Sequence, residues 1–329
     1  MRLPQRRRRR VAVCLVLLVA ATALAADAKA RARAKAPMAA ADLLLPRDPQ
    51  AVRFAVIGDS GSGGKGQKEL AARMLEVHAL FPYEFAIMLG DNLYGGQRPE
   101  DYQRKFEGPY RPLLDAGVRF YAALGNHDNP SQRFYKNFSM NGERYYSFKA
   151  PLQSVRFFAL DSNYLDPDQI DWVEKELGKS DSEWKICFFH HPIYSSGKRH
   201  GPDLSLRAML ELRFITHGVD VVFTGHEHLY ERLQPQNGIA HFISGSAAKV
   251  RRGGIRSGGE TAKGYDQGLQ FMAIAILGDE MHFQVINERG ETVDSGRVLR
   301  RERGGLAQGQ GEVKVIEGLE PQPEAARKP

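Results

Sequence analysis

Five short apolar runs, VRFAVIGD, EFAIMLGD, FYAALGNH, WKICFFHH and VDVVFTGH, each end in a side chain that can hold a metal ion. They are rich in β-branched and aromatic residues and lack a polar alternation, which predicts strands buried on both faces, as in the central part of an α/β sheet. Strands of that kind bring their ends to one edge. In open α/β sheets ligands bind in the crevice outside the carboxyl ends of the strands. The pattern therefore gathers Asp59 of GDSG, Asp91 and Tyr94 of GDNLY, Asn126 of GNHD, His190 of FFHHP, and His226 and His228 of GHEH.

Taken singly these blocks say little, because Gly-Asp and Gly-Asn also make ordinary turns. Together and in order they supply oxygen and nitrogen donors enough for two cations, as in a two-metal hydrolytic site. The glycines before Asp59, Asp91, Asn126 and His226 are expected to let the chain turn sharply. His226 and His228, two apart, are expected on one side of an extended segment. Asp91 has two carboxylate oxygens and so can bridge two ions, with Tyr94 coming round the following turn to one of them.

The order and content of these blocks resemble the metallophosphoesterases, and among them the small, tartrate-resistant type of purple acid phosphatase. GDSG lacks the histidine usual near the first aspartate of a general metallophosphoesterase, and GDNLY supplies a tyrosine instead. The similarity runs from about Val52 to about Arg300 and includes HGPD after the FFHHP block. It implies an α/β fold built as a double β-sheet sandwich with mixed sheets and flanking helices. It further implies that Asp59, Tyr94 and His228 bind a ferric ion, that Asn126, His190 and His226 bind a divalent one (Fe, Zn or Mn), and that Asp91 bridges them. His191 is expected to be a neighbour. His127 and His200 match the outer histidines that hold phosphate and protonate the leaving group, a task suited to a side chain that carries a proton in mild acid. Asp128 and Asp161 are expected to be supporting or structural carboxylates, of the kind that commonly stand behind ligating histidines and orient them.

The activity so implied is hydrolysis of phosphate monoesters by a metal-held hydroxide, since cations make water acidic enough to supply one. Rival readings are a phosphodiesterase or nucleotide pyrophosphatase on the same fold, and a metal- or phosphate-binding protein without turnover. The expected partners are small phosphorylated substrates; the sequence leaves the oligomeric state open.

MRLPQRRRRR followed by VAVCLVLLVAATALA has the basic n-region, short apolar h-region and Ala-Leu-Ala ending of a secretory signal peptide over residues 1–25. Export to the periplasm or the extracellular space is the expectation, with cleavage favoured over an anchor because the apolar stretch is short for a span. The leader holds six arginines, so the formal charge of +7 falls to +1 without it, and nucleic-acid binding loses its electrostatic footprint. Of the two cysteines only Cys187 then remains, which excludes an intrachain disulfide. An Ala-rich linker is expected over 26–50, one catalytic domain over 51–300 and a disordered tail over 301–329. Helices are expected at Lys65 to Ala79, Asp168 to Gly178 and Leu204 to His217. The Gly- and Arg-rich stretch from Ala247 to Gln267 reads as a mobile loop, and its basic cluster Lys249, Arg251, Arg252 and Arg256 reads first as solvated, with attraction of anionic substrates as the alternative.

Overall fold

Two seven-stranded mixed sheets stack face to face in the computed structural model, which describes residues 39, 42–256, 258–301 and 313–320. From edge to edge the first sheet contains β14 (Lys314–Glu317), β13 (Thr292–Leu299), β12 (Glu280–Asn287), β11 (Gln270–Leu277), β1 (Val52–Ile57), β2 (Phe85–Met88) and β3 (Arg119–Ala122). The second contains β10 (Thr261–Tyr265), β8 (Tyr230–Leu233), β9 (Ala240–Ser244), β7 (Val221–Thr224), β6 (Trp184–Phe188), β5 (Val155–Ala159) and β4 (Tyr146–Lys149). β1, β2 and β3 run parallel, as do β5, β6, β7 and β9, and the remaining pairings are antiparallel.

The apolar runs are buried on both faces because each alternate residue meets a different layer. Phe54, Val56, Phe85 and Ile87 point between the sheets to Phe157, Phe188 and Phe223. Ala55, Ile57, Ala86 and Met88 point outward to α1 (Lys65–Leu80) and α2 (Gly108–Asp115). On the second sheet Cys187 and Phe189 meet α3 (Pro167–Lys179) and α4 (Leu204–Thr216). Phe54 meets Phe157 edge to face at 5.1 Å, locking one sheet on the other. Cys187 is a buried free thiol, in keeping with a small hydrophobe.

α1, α3 and α4 lie where the sequence places them, and Asp166 and Asp203 cap the last two by accepting from Gln169 and Leu206 N–H. Sequence reading missed the helical run from Pro99 through α2, whose Pro112 and short turns break the apolar period. Three expectations need correction. Within the stretch read as linker, Leu43 and Leu45 are buried in the core, where the Gln284 side chain accepts from Leu44 N–H. Part of the expected tail, β14, pairs with β13, because Val313 and Val315 alternate into the space between the sheets. The stretch from Ala247 contains β10 and is tied down by backbone bonds such as Arg256 N–H to the Ser196 carbonyl. The segment read as a signal peptide lies outside the described residues, and among those no helix is long and apolar enough to cross a membrane.

His241 on β9 is 4% exposed, and burial pushes its imidazole down to about 3. The fold therefore keeps it neutral where the unfolded chain takes up a proton, below about pH 6.5. Its contribution is whole above that pH and is lost as the pH falls toward 3, at about 1.4 kcal/mol per pH unit. Urea titrations at several pH values between 7 and 4 should show His241→Gln flattening the acid slope by about one proton. Parallel slopes would contradict this.

Candidate metal centre

The five apolar runs stop at the same edge, and the turns after them interlock. Asp59 N–H donates to the Gly90 carbonyl at 3.0 Å, Tyr94 N–H to Gly61 at 2.9 Å, and Gly225 N–H to His190 at 3.0 Å. Asp59, Asp91 and His226 all adopt left-handed backbone, at φ 57°, 52° and 67°. Such residues cost about 1–3 kcal/mol each, and they cluster where a site holds them. Asp and His are among the side chains that tolerate this region best. Of the preceding glycines, Gly90 makes the expected sharp turn at φ 88°, whereas Gly125 and Gly225 act through close approach. A Cβ on Gly125 would lie 2.2 Å from Asp91 N, and one on Gly225 would lie 2.7 Å from Asp59 Oδ2.

All seven sequence-predicted donors come together, and they separate into two groups. In the first, Tyr94 OH donates to Asp59 Oδ1 at 2.9 Å, and His228 Nε2 lies 3.1 Å from Tyr94 OH and 3.3 Å from Asp59 Oδ1. Asp59, Asp91 and His228 place one donor atom each within 4.8 Å of one another. In the second, His190 Nε2 lies 3.0 Å from Asn126 Oδ1, 3.1 Å from His226 Nδ1 and 3.5 Å from Asp91 Oδ1. Asp91 thus belongs to both. His226 and His228 do not share one side of an extended segment: the chain turns at His226 and aims the two rings into different groups.

The donor chemistry fits cations. The Leu89 carbonyl can only accept, so His190 Nδ1 carries the proton of their 2.8 Å bond. In the neutral ring the Nε2 lone pair then faces the acceptor Asn126 Oδ1 as well as His226 Nδ1, a cluster of donor atoms that a metal ion would satisfy. Burial first, then the charges of His190, His191 and His200, push His226 down to about 2. Burial and His190 likewise push His191 down to about 4. Imidazoles that resist protonation remain free to bind metal in mild acid. Burial raises Asp59, but the His228 hydrogen bond and the charges of His190 and His228 outweigh it and leave the carboxyl below its usual range. Burial and the two carboxylates drive the Tyr94 phenol far up, so that without a cation it keeps its proton. A bound metal reverses that balance.

The outer histidines flank this centre. The exposed His127 packs its ring 5.1 Å from Tyr94, and its N–H donates to Asp91 Oδ1 at 3.0 Å. The exposed His200 lies against His226 with ring centroids 4.1 Å apart. His191 is closer than a mere neighbour, since it joins His190 and His226 in a three-imidazole group, and its Nδ1 faces Ser162 Oγ at 2.9 Å.

Asp128 and Asp161 take the structural part of that expectation, holding backbone rather than histidine rings. Asp128 accepts from the N–H groups of Asn92, Leu93 and Gly125, and so ties the GDNLY turn to the GNHD turn. Burial, then the Asp91 carboxylate, push it up to about 6. Asp161 pairs with Arg144 and accepts from Asn163 N–H, fixing a neighbouring loop. Sequence reading passed over Glu227, the middle residue of GHEH. It is fully buried, and its Oε1 accepts from His200 N–H at 2.7 Å and Gly201 N–H at 2.8 Å. A glutamate between two candidate ligands was the available signal. Lys249 is not free in solvent: its Nζ sits 3.1 Å above the centroid of the Tyr94 ring.

The calcineurin-like phosphoesterase sequence profile matches residues 52–230. Tartrate-resistant acid phosphatase type 5 of Homo sapiens is 26% identical over 306 residues, spanning 77% of this chain and 92% of its own. Purple acid phosphatase 17 of Arabidopsis thaliana is 27% identical over 240 residues, 62% of this chain and 71% of its own. A solved purple acid phosphatase from yellow lupin (Lupinus luteus) seeds shares the fold at a TM-score of 0.62 and 18% identity, covering 78% of this chain and 55% of that one. The anchor in the inner membrane complex of Plasmodium shares it at 0.68 and 18%, covering 78% and 91%.

Elemental analysis of the metal-loaded protein should find two ions per chain. Asp59→Ala, which touches the first group, should leave about one, whereas Asp91→Ala should weaken both. If Asp91→Ala loses one ion and holds the other at full affinity, the shared carboxylate is excluded.

Proposed function

The chain belongs to the calcineurin-like phosphoesterase family, and from that premise we propose that it is an acid phosphatase of the purple, two-metal type acting on phosphate monoesters. The observation that carries this reading is the pair of donor groups sharing Asp91, with the Tyr94 phenol in one of them. Asp59, Tyr94 and His228 would hold Fe(III), and Asn126, His190 and His226 a divalent Fe, Zn or Mn. When bound, the two cations make water acidic and offset the charge that grows on the phosphoryl oxygens.

The chain's own residues do the rest. The Leu89 carbonyl holds His190 in the tautomer that leaves Nε2 free, and Asp128 fixes the turns that carry Asp91, Tyr94 and Asn126. His127 and His200 stand at the mouth with polar ring atoms open to an entering ester, so that either can hold a phosphoryl oxygen or give a proton to the departing alkoxide. Glu227 is a positioning residue, since it fixes the backbone at His200 and Gly201. The leader sequence, as read above, would export the protein. A monoesterase is preferred to a diesterase on the strength of the relatives named above.

Three measurements test the proposal. The iron-loaded protein should be violet to pink, and Tyr94→Phe should lose the visible band while keeping some hydrolysis; a colourless, iron-free and fully active enzyme would defeat the ferric assignment. Rates on p-nitrophenyl phosphate should exceed those on the bis ester, and the reverse order would mark a phosphodiesterase. Glu227→Ala should lower kcat by about 10–100-fold, and adding His200→Ala should cost little more, because the first change already displaces that ring. Independent, multiplying effects would separate Glu227 from His200.

A further inference from the structure

The Arg-rich stretch is built onto the metal centre. Arg251 N–H donates to the His228 carbonyl at 2.8 Å, Lys198 N–H to Gly254 at 2.7 Å, and Arg256 N–H to Ser196 at 2.9 Å. Lys198 Nζ donates to the Gly253 carbonyl at 2.8 Å, and Gly197 and Ile255 pair as an antiparallel bridge. Beneath them the buried Glu231 accepts from Ser196 N–H and Thr261 Oγ1, fastening the 195–197 segment to β10. Six cations are held on this platform: Lys198, Arg199, Lys249, Arg251, Arg252 and Arg256. Lys249 reaches the Tyr94 ring, and the Arg251 and Arg199 charges bear on His200. Among the described residues none of the six is ion-paired with a carboxylate.

The other side of the mouth has no such excess of cations. A cleft of about 390 Å³ opens beside Asn126 and His191, lined by Asp128, by Asp161 in its pair with Arg144, and by Asp203, which caps α4, with no Lys or Arg among the described residues of the lining. An ester seated at the centre therefore meets carboxylates toward the cleft and unpaired cations toward the Lys198 and Arg251 segments. A neutral alcohol gains nothing from either. An alcohol that carries a second anion is steered to the cationic rim, where arginine matches phosphate oxygens in a planar fork.

We propose that this rim is a subsite for a second anionic group on the substrate, phosphate foremost, so that the preferred esters are bisphosphorylated or polyphosphorylated compounds. The inference rests on the phosphatase reading above and names the substrate class of that site. The loop architecture makes it more than a solvated charge run, because its backbone is bonded to His228 and to the 196–198 segment, and Lys198 and Lys249 are placed by contacts of their own side chains.

The test uses the metal-loaded enzyme and two three-carbon esters: glycerol 3-phosphate, whose tail is neutral, and glycerate 2,3-bisphosphate, whose tail keeps a carboxylate and a second phosphate. In Arg199→Gln/Arg251→Gln, kcat/KM for the bisphosphate should fall by about fivefold more than for glycerol 3-phosphate, with the loss carried in KM. Intrinsic differences in leaving-group reactivity cancel in this ratio of ratios, and a change at His200 would appear in kcat rather than in KM. The preference should shrink at high salt and return in Arg199→Lys/Arg251→Lys, which keeps the charge. Equal losses on both esters, or none, would overturn the subsite. If neither ester is hydrolysed, the phosphatase reading fails, and calorimetric binding of inorganic triphosphate against inorganic phosphate judges the subsite alone. Loss of triphosphate affinity in the Gln variant beyond any loss of phosphate affinity supports it; unchanged affinity for both overturns it.

Discussion

Asp91 is the group on which the site turns. It is buried at the end of a parallel strand, in left-handed backbone, with one oxygen accepting from His127 N–H and lying 3.5 Å from His190 Nε2. A buried carboxylate needs compensation. Here the surroundings are arranged less to neutralise it than to crowd further acceptors around it: the Asp59 carboxylate, the Asn126 amide and bare imidazole nitrogens. Strained φ angles at Asp59, Asp91 and His226 persist because the sheets behind them are rigidly packed and the turns share backbone bonds. A stable sandwich thus holds together a cluster that would otherwise disperse.

The same logic explains the second rank of residues. Asp128 and Glu227 bind backbone N–H groups rather than ligand rings, so they set where whole turns lie. Fixing a turn fixes several side chains at once, which is the economical way to hold seven donors and two outer histidines. Around this the charge is partitioned, with carboxylates along one cleft and unpaired cations on the loop above Tyr94. An anionic substrate would therefore be oriented by the protein's field as well as by its metals.

Much of the fold was legible because the strands buried on both faces carry continuous apolar runs, and because α3 and α4 begin at Asp caps. The helical run after Pro99 was not, since a π-turn and two prolines interrupt any 3.6-residue period. Nor was β14 foreseen: four residues in a charged, Gly-rich tail become a strand only when an edge such as β13 receives them. The Ala247 stretch misled for a related reason. Glycine and arginine suggest mobility in isolation, but the bonds that hold this loop come from segments 50 or so residues away.

By itself the sequence determined which donors exist and that they lie at strand ends, because hydrophobic periodicity and the residues that break it are local properties. It also carried the resemblance to the metallophosphoesterases, through five ordered blocks, and to their purple acid phosphatase branch, through a tyrosine where a histidine is more usual. Only the tertiary structure decided that His226 and His228 part company, that Asp91 stands between both groups, that Glu227 holds His200, and that a basic loop overhangs Tyr94. Those are relations between side chains up to 155 residues apart in sequence, the separation of Tyr94 and Lys249. They depend on backbone angles and sheet stacking, which no local pattern encodes.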